Sequence, residues 1–312
     1  MGRGKVTVVG AGNVGATTAQ RLVERGYADV VLLDIVEGRA QGKALDLAEA
    51  MPLVGPGSRV IATSGYAATA GSDVVVISSG VPRRAGMSLD DLLETNAGVV
   101  REVTEKVKVT SPGAVIIVVA NPLSAMVTLA HHVSGFPRER VLGMAGVLDS
   151  ARYRAFIAEE LGVSVEDVHG FVLGGRGDAM VALPRYTSVG GVPLPQLLST
   201  ERIDAIVART RRGGQEVLEL LRSGTAFYAP AAAIEATVEA VLLDRKRVMP
   251  CAVRLEGEYG ISDVFLGVLT VLGAGGMERI VEVSLTAEEL AAMERSAEVV
   301  RQTWAATRAL MA

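Results

Sequence analysis

Lys5-Val-Thr-Val-Val9 runs straight into Gly10-Ala-Gly12-Asn13-Val14-Gly15, and Val30-Val-Leu-Leu33 ends on Asp34. The reading of this stretch decides the fold. A short β-branched run passes into glycines spaced G-x-G-x-x-G, and Asn13 to Gly26 then carries helical spacing. Such glycines alone arise by chance. Following a strand, opening a helix and having an acid at the end of the next strand, they make a dinucleotide-binding fingerprint. Gly10 permits the tight turn, Gly12 lets the backbone approach a pyrophosphate, and Gly15 lets helix pack on strand. Asn13 and Val14 complete the turn, whose helix amides and dipole face the phosphates. Asp34 is placed to accept hydrogen bonds from both ribose hydroxyls, and its charge repels a 2′-phosphate, so NAD is expected over NADP.

Outward from this unit, Val74 to Ile77 and Val115 to Val119 are apolar throughout, as parallel strands covered by helices on both faces are. Between them Ser88 to Thr110 has helical spacing, with Ser88 and Asp91 in a capping-box arrangement. This alternation predicts a Rossmann-type, doubly wound parallel sheet, with ligands at the carboxyl ends of its strands. Gly80-Val-Pro-Arg-Arg-Ala-Gly86 is a candidate mobile loop at that edge. A strand over Val141 to Met144 closes the first half. A chain of 312 residues is long enough for two domains, and we divide it into 1–145 and 146–312. The second part reads as α+β, with strands over Val168 to Leu173, Val248 to Leu255 and Val264 to Thr270. Its helices are expected at Leu148 to Leu161, Asp204 to Arg222, Pro230 to Leu243 and Ala287 to Ala309.

Composition narrows the functions. The apolar fraction of 49% and the charged fraction of 21% suit a globular chain, and a net charge of -4 offers no basic surface for nucleic acid. The single cysteine, Cys251, forms neither an internal disulfide nor a zinc cluster and is expected in a core or interface. No apolar segment of signal-peptide length precedes the first motif, which predicts no export. The most apolar run, Ala114 to Ala120, falls far short of the roughly 20 residues of a membrane helix, so no membrane partner is expected.

Seven segments in order then resemble one family. They are the glycine motif, Gly80 to Ser88, Asp91-Leu-Leu-Glu-Thr-Asn96, Val119-Ala-Asn-Pro-Leu123, Gly143 to Arg152 with Gly174-Gly-Arg-Gly-Asp178, and Leu255-Glu-Gly-Glu-Tyr-Gly260. Together they resemble the malate/lactate dehydrogenase family, nearest its lactate-dehydrogenase-like malate dehydrogenases. The resemblance implies a cytoplasmic, homodimeric or homotetrameric oxidoreductase of the tricarboxylic acid cycle, transferring hydride between NAD and malate or oxaloacetate. Arg83 matches the loop arginine that pairs with the distal carboxylate of a dicarboxylate, and Arg152 the one that binds the C1 carboxylate. A planar guanidinium suits that task by forming two parallel hydrogen bonds. Asn121 matches a contact to cofactor and substrate hydroxyl; Asn96 and Val119 match residues of the cofactor cleft. Asp149 matches the aspartate that orients a catalytic histidine.

Two positions depart from the family pattern. Where the family has histidine between Gly175 and Gly177 as its proton shuttle, this chain has Arg176. Imidazole titrates near neutrality and serves both directions, whereas a guanidinium stays protonated in proteins. Where the family has a loop arginine that polarises the substrate carbonyl, this chain has Leu89, with neither charge nor hydrogen bond to offer. His169, seven residues before Arg176 on one expected strand, would lie roughly 20 Å away; His131 and His132 fall on a helix beyond Pro122. Impaired turnover is therefore expected. The alternatives are a catalytically silent member that binds NAD and a dicarboxylate, and a dehydrogenase of another 2-hydroxy acid.

Overall fold

The computed structural model describes residues 3–55, 57–81 and 88–311. The first half runs β1 (Gly4–Val9), α1 (Asn13–Arg25), β2 (Ala28–Leu33), α2 (Arg39–Val54), β3 (Val60–Thr63), β4 (Val74–Ile77), α3 (Leu89–Thr110), β5 (Val115–Val118), α4 (Leu123–Ser134) and β6 (Val141–Gly143). These strands pair in parallel in the order β3-β2-β1-β4-β5-β6. β4 and β5 are buried along their whole length, which is why they are unbroken Val and Ile. Strand order reverses between β1 and β4, and the crevice above that point is where a doubly wound sheet takes its ligand. Ser88 caps α3: its hydroxyl accepts from the Asp91 amide while the Asp91 carboxylate accepts from the Ser88 amide.

The second half runs α5 (Val147–Leu161), β7 (Val168–His169), β8 (Val172–Gly174), β9 (Met180–Ala182), β10 (Ser188–Val189), β11 (Val192–Pro193), α6 (Thr200–Leu221), α7 (Tyr228–Leu242), β12 (Arg247–Glu256), β13 (Ser262–Gly273), β14 (Gly276–Ile280) and α8 (Ala287–Leu310). β12, β13, β8 and β9 continue the main sheet antiparallel from β6. The seam is one bridge, Ala252 to Gly143, and a Cβ on Gly143 would stand 2.9 Å from that of Ala252. One hydrophobic core accordingly joins β1, β2 and β4 with α7, β12 and β13. Cys251 is fully buried in it, and burial pushes its thiol up to about 12.

Two readings change. Val168 to Leu173 is not one strand: β7 pairs with β10 in a separate three-stranded sheet, while β8 pairs with β9 and β13. Gly170 lies at the break, where a Cβ would meet Thr187 at 2.8 Å. The extended-strand spacing between His169 and Arg176 therefore does not apply. Helix α2 escaped the sequence reading because its core-facing stripe, Ala40, Ala44, Leu47 and Met51, is half alanine, while Leu45, Leu53 and Val54 are exposed and blur the helical period. Among the described residues no helix is long and apolar enough to cross a membrane.

Candidate active site

The turn after β1 separates glycines needed by the protein from one it leaves open. Gly10 has φ +100°, and a Cβ there would stand 2.8 Å from the Ser79 amide nitrogen; one on Gly15 would stand 1.8 Å from the Gly10 carbonyl oxygen. Around Gly12 no described atom lies within 4 Å of that position. Its missing side chain is thus vacant space at the mouth of α1, whose N-cap is Gly12 and whose first turn holds no acid and no side-chain cap. Unsatisfied helix amides over an open glycine fit a pyrophosphate.

Asp34 is buried and fixed by the backbone. Its Oδ2 accepts from the Ala11 amide at 2.7 Å and its Oδ1 from the Val36 amide at 2.9 Å. Ile35, beside it, is 82% exposed, an uncovered apolar side chain at the ribose end that the sequence reading did not single out.

Asn96 acts as a latch rather than a wall. It is buried, its Oδ1 accepts from the Val81 amide at 2.7 Å, and its Nδ2 donates to the carbonyls of Val81 at 3.1 Å and Asn121 at 2.7 Å. The loops after β4 and β5 are so joined through one amide. Val119 is buried at the end of β5, its amide donating to the Ile77 carbonyl at 2.9 Å, and Asn121 precedes a cis bond to Pro122.

Across the crevice, Asp149 stands in the first turn of α5, where the helix dipole favours a carboxylate. It is 5% exposed between two guanidinium groups. Oδ1 accepts from Arg152 Nη1 at 3.2 Å, one helical turn along. Oδ2 lies 3.4 Å from Arg176 Nε but receives no hydrogen bond. Burial draws the Arg152 guanidinium below its ordinary value and the Arg176 charge adds to this, against the pull of Asp149. A partly buried cation next to a second cation is a receptor for a carboxylate. Arg152 crosses α6 at Gly213 and Gly214, where a Cβ on Gly213 would come within 2.9 Å of its Cδ. These two also escaped the sequence reading. Adjacent glycines within a helix, each costing about 1 kcal/mol against alanine, were the signal.

The Arg176 loop is set from both ends. Gly174 and Gly177 have φ +79° and +63°, and a Cβ on Gly174 would stand 2.6 Å from the Ala179 carbonyl oxygen. Ser296 of α8 accepts from the Gly175 amide at 2.8 Å and donates to the Ala179 carbonyl at 2.8 Å. A cavity of about 250 Å³ opens here, with Asn121, Gly175, Arg176, Phe265 and Thr303 on its walls.

Comparison with known proteins bears on the family and its cofactor. The lactate/malate dehydrogenase NAD-binding domain matches residues 4–143 and the family's alpha/beta C-terminal domain residues 146–309. The chain belongs to the lactate/malate dehydrogenase family. It is 58% identical over 300 residues to a malate dehydrogenase of Thermomicrobium roseum, covering 96% of this chain and 97% of that one. The structure of malate dehydrogenase from Salinibacter ruber superposes with a TM-score of 0.94 at 49% identity, covering 98% of each chain. Lactate dehydrogenase from Cryptosporidium parvum, solved with lactic acid and NAD, gives 0.95 at 42% identity over 99% of each. The cofactor of this lactate/malate dehydrogenase family member is NAD.

Within that family frame, Asp149 has Arg152 and Arg176 as its side-chain partners among the described residues. The histidines are engaged elsewhere. His131 packs edge-on to Phe265, with centroids 5.4 Å apart, and burial lowers its pKa; His132 stands beside Trp304; His169 pairs with Ser188. Arg83 lies outside the described residues, as does the Leu89 side chain; Leu89 is the first residue of α3.

Proposed function

We propose that this protein interconverts malate and oxaloacetate with NAD, and that it does so slowly. The observation that carries the proposal is the Arg152–Asp149–Arg176 cluster, one buried carboxylate between two guanidinium groups beside the dinucleotide crevice. When bound, NAD donates or accepts the hydride. Gly10, Gly12, Asn13, Val14 and Gly15 seat its pyrophosphate, Asp34 holds the ribose against Ile35, and Val119 and Asn121 border the nicotinamide end. Asn96 belongs to this group as a positioning residue, since its polar atoms are spent on Val81 and Asn121.

Arg152 binds the C1 carboxylate and Arg83 the distal one, so two cations select a dicarboxylate. Arg176 puts positive charge where the carbonyl oxygen becomes an alkoxide, which stabilises that oxygen. It neither gives up nor recovers a proton as imidazole does, so the proton must pass through water. Leu89 withholds the second polarising charge. The same cluster favours one further reading, a family member that binds NAD and a dicarboxylate without turnover.

The remaining proposals concern the whole molecule. We place the domain division between residues 145 and 146 and the protein in the cytoplasm, as an enzyme of the tricarboxylic acid cycle. Homodimer or homotetramer formation is supported by α2, which leaves Leu45, Leu53 and Val54 exposed, Leu53 at 88%.

Calorimetry in the presence of NADH tests the substrate. Oxaloacetate should bind at least about tenfold more tightly than pyruvate, since a charge-assisted pair contributes roughly 1.5 to 3 kcal/mol, and Arg83→Gln should erase the preference. Equal binding of the two acids by the unmodified protein rejects the malate assignment.

A further inference from the structure

We infer that Arg39 gives the ribose end of the cofactor site dual specificity, so that the protein binds NADPH as well as NADH. The inference rests on the reading of Asp34 as the acid that faces the ribose hydroxyls. An isolated carboxylate there would exclude a 2′-phosphate by charge, but Asp34 is not isolated. Arg39, the first residue of α2, holds Nη1 3.6 Å from Asp34 Oδ2.

That contact is an ion pair too long for a hydrogen bond, with the Arg39 side chain 48% exposed, and such pairs hold weakly against solvent. Among the described residues Arg39 has no other carboxylate partner. Asp34 does not depend on it either, because the Ala11 and Val36 amides already fix both carboxylate oxygens. Arg39 can therefore turn from Asp34 to a phosphate on the adjacent ribose carbon without unseating the carboxylate. A phosphate monoester carries close to two negative charges and takes a guanidinium fork in two parallel hydrogen bonds, an exchange that favours the phosphate.

Lys43 adds to the same field. It lies one helical turn beyond Arg39, and its Nζ donates to the Ala11 carbonyl at 2.8 Å, next to the glycine turn. One helix thus brings Arg39 to Asp34 and Lys43 to the carbonyl of Ala11, the residue whose amide Asp34 accepts from. With NADH bound, Asp34 meets the free hydroxyls and Arg39 remains paired; with NADPH bound, Arg39 shields Asp34 from the phosphate and binds it.

Nicotinamide fluorescence titrations with NADH and with NADPH test this without reference to turnover. The unmodified protein should bind the two within about tenfold of each other. Arg39→Gln should weaken NADPH at least about tenfold and leave NADH within about twofold, while Arg39→Lys, which keeps the charge, should retain much of the NADPH affinity. Thermal melting confirms that each variant is folded. Undetectable NADPH binding by the unmodified protein, or equal weakening of both cofactors by Arg39→Gln, overturns the inference. Failure of the unmodified protein to bind NADH overturns the reading of Asp34 itself, and the inference with it.

Discussion

Two glycine turns frame the site, one after β1 and one after β8, and they differ in what they deliver. Each leaves a strand through a glycine with positive φ whose Cβ would strike neighbouring backbone, Ser79 at Gly10 and Ala179 at Gly174. Both are fastened from elsewhere in the chain: the Gly10 amide donates to the Leu33 carbonyl, and Ser296 clasps the Gly174 turn. The first turn then presents what a dinucleotide requires, an open Gly12 and an anchored Asp34. The second presents Arg176, which on the proposed reading stands where a proton shuttle would serve. Backbone geometry and side-chain chemistry are thus specified by different residues, and a turn can keep the first while changing the second.

The comparison breaks most readily at the first turn. Gly15→Ala drives a Cβ into the Gly10 carbonyl, so α1 must move; we expect about 3 kcal/mol of destabilisation in chemical denaturation and at least tenfold weaker NADH binding. Gly12→Ala meets no described atom and should leave the denaturation midpoint in place while weakening NADH by at least about tenfold, because its Cβ would occupy ligand space alone. Equal stability losses in the two variants would mean that Gly12 also serves the protein's own packing. The second turn should give a smaller effect. Ser296→Ala removes two hydrogen bonds, and the Gly175 amide keeps the Ala179 carbonyl at 3.0 Å, so a loss of about 1 kcal/mol in melting is expected. No change at all would show that α8 is not what sets the Arg176 loop.

Much of this was readable in the chain before the fold was known, and the exceptions have physical causes. Strands buried on both faces announce themselves as Val and Ile runs, and Gly10, Gly12, Gly15 and Asp34 declare a function by spacing. Helix α2 turns Leu47 and Met51 inward beside Ala40 and Ala44 but leaves Leu45, Leu53 and Val54 exposed, so its apolar residues fall on more than one face and the period toward the core is blurred. The break at Gly170 passed for a continuous strand because Val168 and Phe171 to Leu173 are apolar on either side of it and only long-range pairing, His169 with Ser188 and Gly174 with Gly267, separates the two strands. Gly213 and Gly214 gave a local signal whose cause, the Arg152 side chain lying against them, is 61 residues distant at Gly213. Asn96 was expected in the cleft, but which polar groups would claim its amide depended on how the loops after β4 and β5 meet.

The central claim is that binding groups are in place while proton transfer at position 176 and carbonyl polarisation at position 89 are not. Spectrophotometric turnover of oxaloacetate with NADH tests it directly, comparing the unmodified protein with Arg176→His, Leu89→Arg and the two together. Asp149 Oδ2, which accepts no hydrogen bond, is available to orient an imidazole at 176. A general acid/base contributes roughly 10² to 10⁴ in rate and one oxyanion donor roughly 10² to 10³. Since both act on one oxygen in one transition state, the unmodified protein should be very slow and the double variant should gain more than the product of the single gains. Rapid turnover by the unmodified protein that persists after Arg176→Ala would contradict the account and place the chemistry on other residues.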